Sequence, residues 1–233
     1  ADYKLMTRIL GIETTTNICS VAVLNEGKTE KIESEVPNSH SEVLGTFIKK
    51  ILSNVKIKVE QLDAIAVSKG PGSYTGLRIG VSTAKGLCYG AGIPLIGINS
   101  LEGMAESIKN QHDNKTLLCP TIDARRDEIF YALFDNKMKC HKETSSKVLN
   151  NNSFMEEFKN NKIVFFGTGA EKCKNIIQNK NAIFANDFKM SAEHILTLAE
   201  KRFKNKNFED LAYFEPFYLK DFIAIPQKKN ILK

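Results

Sequence analysis

No uninterrupted apolar run in the 233-residue chain approaches the roughly 18 residues of a spanning helix, so nothing reads as a membrane segment. The opening residues, ADYKLMTRILGIETT, have no signal-peptide profile, because charges interrupt them before an apolar stretch forms; Met6 is read as the native start. Cys19, Cys88, Cys119, Cys140 and Cys173 are scattered, odd in number and never in a C-x-x-C pair. That spacing argues against a disulfide framework or zinc site and for a cytoplasmic location, with Cys19 and Cys88 as small core residues. Histidine is scarce as well. His40 is the only one near the N-terminal strands, and Leu44 occupies the place where a helical H-x-x-x-H metal pair would need its second ligand. His112, His141 and His194 are assigned no role. No Ser-His-Asp order or clear nucleophile emerges, which counts against a self-sufficient hydrolase.

What is present is ordinary in bulk: 42% apolar, 26% charged and a net charge of +6 describe a globular protein with a real core. The charge permits nucleic-acid contact without requiring it. Lys201, Arg202, Lys204 and Lys206, then Lys228, Lys229 and Lys233, are the basic clusters a polyanion would use; solvated faces are the alternative.

Lys69 to Gly80, KGPGSYTGLRIG, is where backbone geometry rather than burial chooses the residues. It follows the apolar run Ala64 to Ser68 and leads into Leu77, Val81, Ala84 and Cys88, whose spacing suits a helix face. Ser73 or Thr75 can cap that helix. The P-loop pattern fails because Leu77 and Arg78 stand where Lys and Ser/Thr should follow Gly76, and the Rossmann pattern misses its third glycine. Two readings stay open: an anion-receiving turn, or a tight strand-to-helix connection.

Around it the chain reads as strands Arg8 to Thr14, Ile18 to Leu24 and Lys28 to Val36. A helix capped by Ser39 and Glu42 follows, carrying Leu44, Phe47, Ile48, Ile51 and Leu52. Pro94 to Ile98 is a strand, and Asn99 caps the next helix. This order is that of an RNase H-like α/β unit, a mixed five-stranded sheet flanked by helices, over residues 1–110. Residues 111–233 are expected to form a smaller, degenerate unit of the same kind. Its strands are Thr116 to Asp123, Asp127 to Phe134, Lys137 to His141 and Lys162 to Phe166, and a last helix near 191–205 packs back on the first domain. Glu13, Thr14 and Thr15, at the end of the first strand, are candidates to hold hydrated Mg²⁺ and phosphate, or else a self-capped turn. Asp123 and Arg125, with Arg126, offer phosphate contacts or a hairpin salt bridge.

GIETTTNICSVAV, HSEVL, KGPGSYTGLRIGVSTAKGL, IDARRDEIF and the late EPFYLK resemble, in the same order, the TsaB (YeaZ) family from Arg8 to about Lys220. The resemblance implies two RNase H-like domains of the actin-like ATPase class. It also implies a non-catalytic scaffold needed to make threonylcarbamoyladenosine beside the tRNA anticodon. The implied partners are the catalytic subunit TsaD, the ATPase TsaE and, indirectly, TsaC with its threonylcarbamoyl-adenylate and tRNA; self-pairing is implied when TsaD is missing. Glu13 replaces the Asp usual in the first phosphate motif, and Gly167 and Gly169 form an adenosine-motif-like turn. No cofactor is therefore required, and any ATP or ADP with Mg²⁺ would be weakly held or shared. The implied partner face comprises His40, Leu44, Phe47, Gly72, Tyr74, Gly76, Leu77, Gly80, Val81 and Ala84. Its Gly76-Gly80-Ala84 stripe would let another helix approach or would pack on its own sheet. On the first view, Gly80→Arg leaves the monomer folded and abolishes association. A small actin-fold kinase or ATPase is the alternative function.

Overall fold

The structure is a computed structural model that describes residues 7–35, 40–185 and 187–220. The Ser39 cap and the lysines at 228, 229 and 233 lie outside these residues.

The first sheet contains β1 (Arg8–Glu13), β2 (Cys19–Asn25), β3 (Lys28–Ser34), β4 (Ala64–Gly70) and β5 (Leu95–Asn99), in the order β3-β2-β1-β4-β5. β1 to β3 form an antiparallel meander, while β4 and β5 run parallel to β1, as an RNase H-like sheet requires. Two helices cover one face, α1 (His40–Asn54) and α2 (Tyr74–Ala91). Strand alternation sends Leu10, Ile12, Val21, Val23, Ile65 and Val67 to that side. The opposite residues, Ile9, Ala22, Ala64, Ala66, Ile96 and Ile98, meet the last helix, α6 (Glu193–Lys204), through Ile195, Leu196, Leu198 and Ala199.

The second sheet repeats the plan: β6 (Thr116–Asp123), β7 (Glu128–Phe134), β8 (Cys140–Val148), β9 (Lys162–Phe166) and β10 (Ala182–Ala185), in the order β10-β9-β6-β7-β8. Its meander is antiparallel, and its last two strands are parallel to its first. One face carries α4 (Met155–Phe158) and α5 (Ala170–Ile176). The other is covered by α3 (Ser100–Ile108), whose Leu101, Met104, Ala105 and Ile108 join Leu118, Phe130, Val164 and Phe166.

The halves thus exchange cover. α3 follows the first sheet in sequence but packs on the second, and α6 does the reverse. The two helices cross where a Cβ at Gly103 would lie 2.9 Å from the Ile195 side chain. Five layers result: α1 and α2, sheet, α3 with α6, sheet, α4 and α5.

One reading of the second half is corrected and one strand is added. Residues 136–139 are a turn in which Asp135 accepts Lys137 N and Lys139 N, and the strand begins only at Cys140. β8 is a polar edge strand whose side chains are mostly solvated, so it lacks the apolar alternation that reveals strands. β10 has only four residues and was not expected from the sequence.

Candidate functional site

The parallel strands β1 and β4 end at Glu13 and Gly70, and the glycine segment runs from there into α2. Ser73 caps α2 by accepting Gly76 N at 3.3 Å. Thr75 lies inside the helix. Across from it stands the β1–β2 turn, Thr14 to Ile18, and the glycines are spent on meeting that turn. A Cβ at Gly72 would come within 2.5 Å of the Thr15 side chain; one at Gly76 would overlap the Thr14 carbonyl oxygen, and one at Gly80 the Thr14 hydroxyl. Hydrogen bonds fix the contact: Thr14 Oγ1 donates to Gly76 O at 2.7 Å, and Ser73 N to Thr15 O at 2.7 Å.

The small-residue stripe therefore faces inward. Gly76, Gly80 and Ala84 are buried against the chain's own turn and sheet, as are Leu44, Leu77 and Val81 in the core. They cannot admit a partner helix, which corrects the first view of the stripe. Gly80→Arg would displace Thr14 and disrupt the fold. His40 is buried too, its Nε2 donating to Thr16 O at 2.9 Å. Of the ten face residues, Phe47, Gly72 and Tyr74 alone remain half-exposed.

Glu13 is completely buried. Its Oε1 accepts Thr15 N at 2.6 Å and the Thr15 hydroxyl, and its Oε2 accepts the Ser68 hydroxyl. Burial outweighs these bonds and raises its pKa above the usual carboxylate value. The carboxylate also helps burial push the neighbouring Cys19 thiol up to about 11. With both oxygens engaged by its own neighbours, this carboxylate presents no open face to a hydrated Mg²⁺, so the group does not fit the site.

The outer side of the glycine segment is covered by the EPFYLK region. Phe217 N donates to Lys69 O at 2.6 Å, and a Cβ at Gly70, whose φ is +118°, would lie 2.6 Å from Phe217 O. Tyr218 packs its ring against Tyr74, tilted, with centroids 4.7 Å apart, and Lys85 Nζ reaches the Phe214 carbonyl at 2.8 Å. Lys220 then pairs with Glu128 of the second half. Residues 209–220 are a strap across both halves.

The second half repeats this closure. Gly167, with φ +97°, abuts the Thr121 carbonyl and Met104, and a Cβ at Gly169 would sit 3.0 Å from the Thr121 side chain. Thr168 Oγ1 accepts Asp123 N at 3.1 Å. Asp123 pairs with Lys172 at 2.7 Å and accepts Arg125 N at 2.6 Å. Arg125 and Arg126, both at positive φ, form the exposed hairpin turn. The ion pair of this hairpin uses Lys172, a residue distant in sequence. Asp123 and Arg125 are not brought to Glu13 by any hydrogen bond or ion pair among the described residues.

Sequence reasoning missed the surface that α1 and α2 leave open. Gly45 and Gly86 sit inside helices with nothing within 4 Å of a Cβ built on them, and Tyr89 is 84% exposed. Between the helices lies a groove of about 570 Å³ lined by Gly45, Ile48, Leu52, Ile57, Val59 and Leu87 among others. The available signal was glycine inside a helix but off its buried stripe. Of the basic cluster near 204, Arg202 is committed to Gly97 O and Glu102 and Lys204 to Glu200.

A duplicated RNase H-like α/β protein, closed at both strand ends by its own side chains, is the class these features define. Residues 34–227 match the family model described as TsaD, tRNA N6-adenosine threonylcarbamoyltransferase. The chain is 28% identical to the tRNA threonylcarbamoyladenosine biosynthesis protein TsaB of Haemophilus influenzae, over 91% of this chain and 93% of that protein. It is 29% identical to the protein of that name from Escherichia coli, over 93% and 96%. YeaZ from Pseudomonas aeruginosa shares the fold with a TM-score of 0.81 at 24% identity, over 92% of this chain and all of that one. The chain belongs to the tRNA N6-adenosine threonylcarbamoyltransferase family and, within it, to the TsaB proteins.

Proposed function

We propose that this protein is a non-catalytic subunit in the biosynthesis of tRNA threonylcarbamoyladenosine, in the cytoplasm, and that it works by presenting the outer face of α1 and α2 to a TsaD-type catalytic subunit. One observation carries the reading: the strand-end site where an actin-fold enzyme would hold phosphate is filled by Thr14, Thr15 and a fully engaged Glu13. The relatives that match over nearly their whole length are tRNA threonylcarbamoyladenosine biosynthesis proteins, and they supply the pathway. His40 bonds to a carbonyl and Leu44 is core, so α1 carries no H-x-x-x-H metal pair. The open helix glycines, the groove and Tyr89 support docking, because an uncompensated mid-helix glycine costs about 1 kcal/mol and earns its place where a backbone must come close. In this reading TsaE joins the pair, TsaC supplies the threonylcarbamoyl-adenylate, and nucleotide is held by the partners.

The test is mass spectrometry of threonylcarbamoyladenosine in total tRNA after depletion of this protein, with wild type or Gly86→Arg added back, and co-elution with TsaD. Gly86→Arg points into open space and is expected to fold, to lose co-elution and to fail to restore the nucleoside. Unchanged modification on depletion would overturn the pathway, and wild-type co-elution of Gly86→Arg would overturn the face. ATP turnover by the isolated chain would favour the kinase alternative.

A further inference from the structure

The β1–β2 turn touches the start of both helices that frame the open face. Thr16 O takes the His40 Nε2 bond at the first residue of α1, while Thr14 Oγ1 and Thr15 O bond Gly76 and Ser73 at the first turn of α2. A buried carboxylate organises this turn from within. Glu13 holds Thr15 at both N and Oγ1 and ties it to Ser68 on β4, with no salt bridge reaching it among the described residues.

We infer that Glu13 is a positioning residue. Through Thr15 it fixes the turn that sets the starts of α1 and α2 relative to one another, and so the shape of the face they present. The inference rests on the proposed reading of that face as a partner surface. A carboxylate suits the task because its two oxygens accept several bonds at once, and charge-assisted bonds are stronger than neutral ones. Buried and hydrogen-bonded but without a cation, it is a costly group to keep for stability alone, since an apolar side chain of similar volume would avoid the desolvation.

The experiment compares three full-length variants. Glu13→Met fills the space but accepts no hydrogen bond. Glu13→Gln keeps an oxygen for Thr15. Leu117→Ala weakens the second half, far from the turn. Binding to TsaD, thermal stability and amide exchange are measured for each. Glu13→Met is expected to weaken TsaD binding about tenfold and to speed exchange at residues 15–16, 40–43 and 73–77, with Glu13→Gln recovering most of both. Leu117→Ala is expected to lower the melting temperature at least as much while leaving affinity and those amides unchanged. Wild-type affinity and exchange in Glu13→Met would overturn the inference. So would an equal loss of affinity in Leu117→Ala, which would reduce the effect to global stability. Should Glu13→Met fail to fold, Ser68→Ala, which removes one donor, is judged by the same outcomes. If wild type does not bind TsaD, the proposed face fails, and exchange alone still decides whether Glu13 orders the two helix starts.

Discussion

Gly76 and Gly86 lie on the same helix in opposite surroundings. The first is pressed on the Thr14 carbonyl, a backbone atom that cannot rotate aside; the second has nothing within 4 Å of its absent Cβ. Gly76→Ala is expected to destabilise the protein by about 1–3 kcal/mol through overpacking. Gly86→Ala is expected to stabilise it by about 0.5–1 kcal/mol by restricting the unfolded chain. Urea unfolding of the two variants checks both signs. His194 provides a second test at this scale. Burial, with Lys31 adding to it and Glu193 and Glu33 opposing, holds its pKa below the usual 6.5, and its Nδ1 is buried without a hydrogen-bond partner among the described residues. Below pH 6.5 the unfolded chain takes up this proton before the folded one does, so stability falls as pH drops from 6.5 toward the folded value and then levels off. His194→Gln is expected to remove that portion of the acid sensitivity, read as the urea midpoint against pH. Glu13 works with the opposite sign. Its folded pKa is raised, so the native state keeps the proton longer and stability falls as pH rises through that window above 4.5.

Among the elements, the strap of residues 209–220 has a single buried side chain, Phe214. Phe214 is 8% exposed, and its ring occupies the space that a side chain at Gly97 of β5 would fill; Glu209 N bonds Leu95 O beside it at 2.9 Å. Phe214→Ala is expected to cost about 3–5 kcal/mol and to free the strap from the glycine segment. Faster amide exchange at Glu209 and Phe217, with exchange in β6 to β9 unchanged, would check the local part of that effect. Several element boundaries were legible beforehand because their signals are local. Ser73 and Asn99 cap their helices through bonds to N–H groups two or three residues on, and α2 shows its buried stripe at helical spacing. β8 was not legible because an edge strand exposed along most of its length has no apolar period to show, and β10 because four residues are too few to show one.

For the whole molecule the exchange of α3 and α6 decides how the halves behave. A fragment of residues 1–110 would lack α6 and leave Ile9, Ala22, Ala64, Ala66, Ile96 and Ile98 uncovered, while exposing the α3 face that belongs on the second sheet. That fragment is expected to aggregate or remain unfolded, and the full chain to unfold in one transition. A dispersed spectrum from the fragment alone would contradict this. Arg202 of α6, bonded to Gly97 O and Glu102, adds a polar tie across the same junction.

The strands, the helices, the glycine segment and the family resemblance follow from the order of residues, because periodicity, caps and turn chemistry act over a few positions. Which way the Gly76-Gly80-Ala84 stripe faces does not. A row of small residues reads the same whether its neighbour is another molecule or the chain's own turn, and only the tertiary structure brought Thr14 and Thr15 against it. The same holds for Glu13. A carboxylate at a strand end suits a metal site or a self-capped turn equally well, and burial beside Ser68, 55 residues away in sequence, decided for the turn.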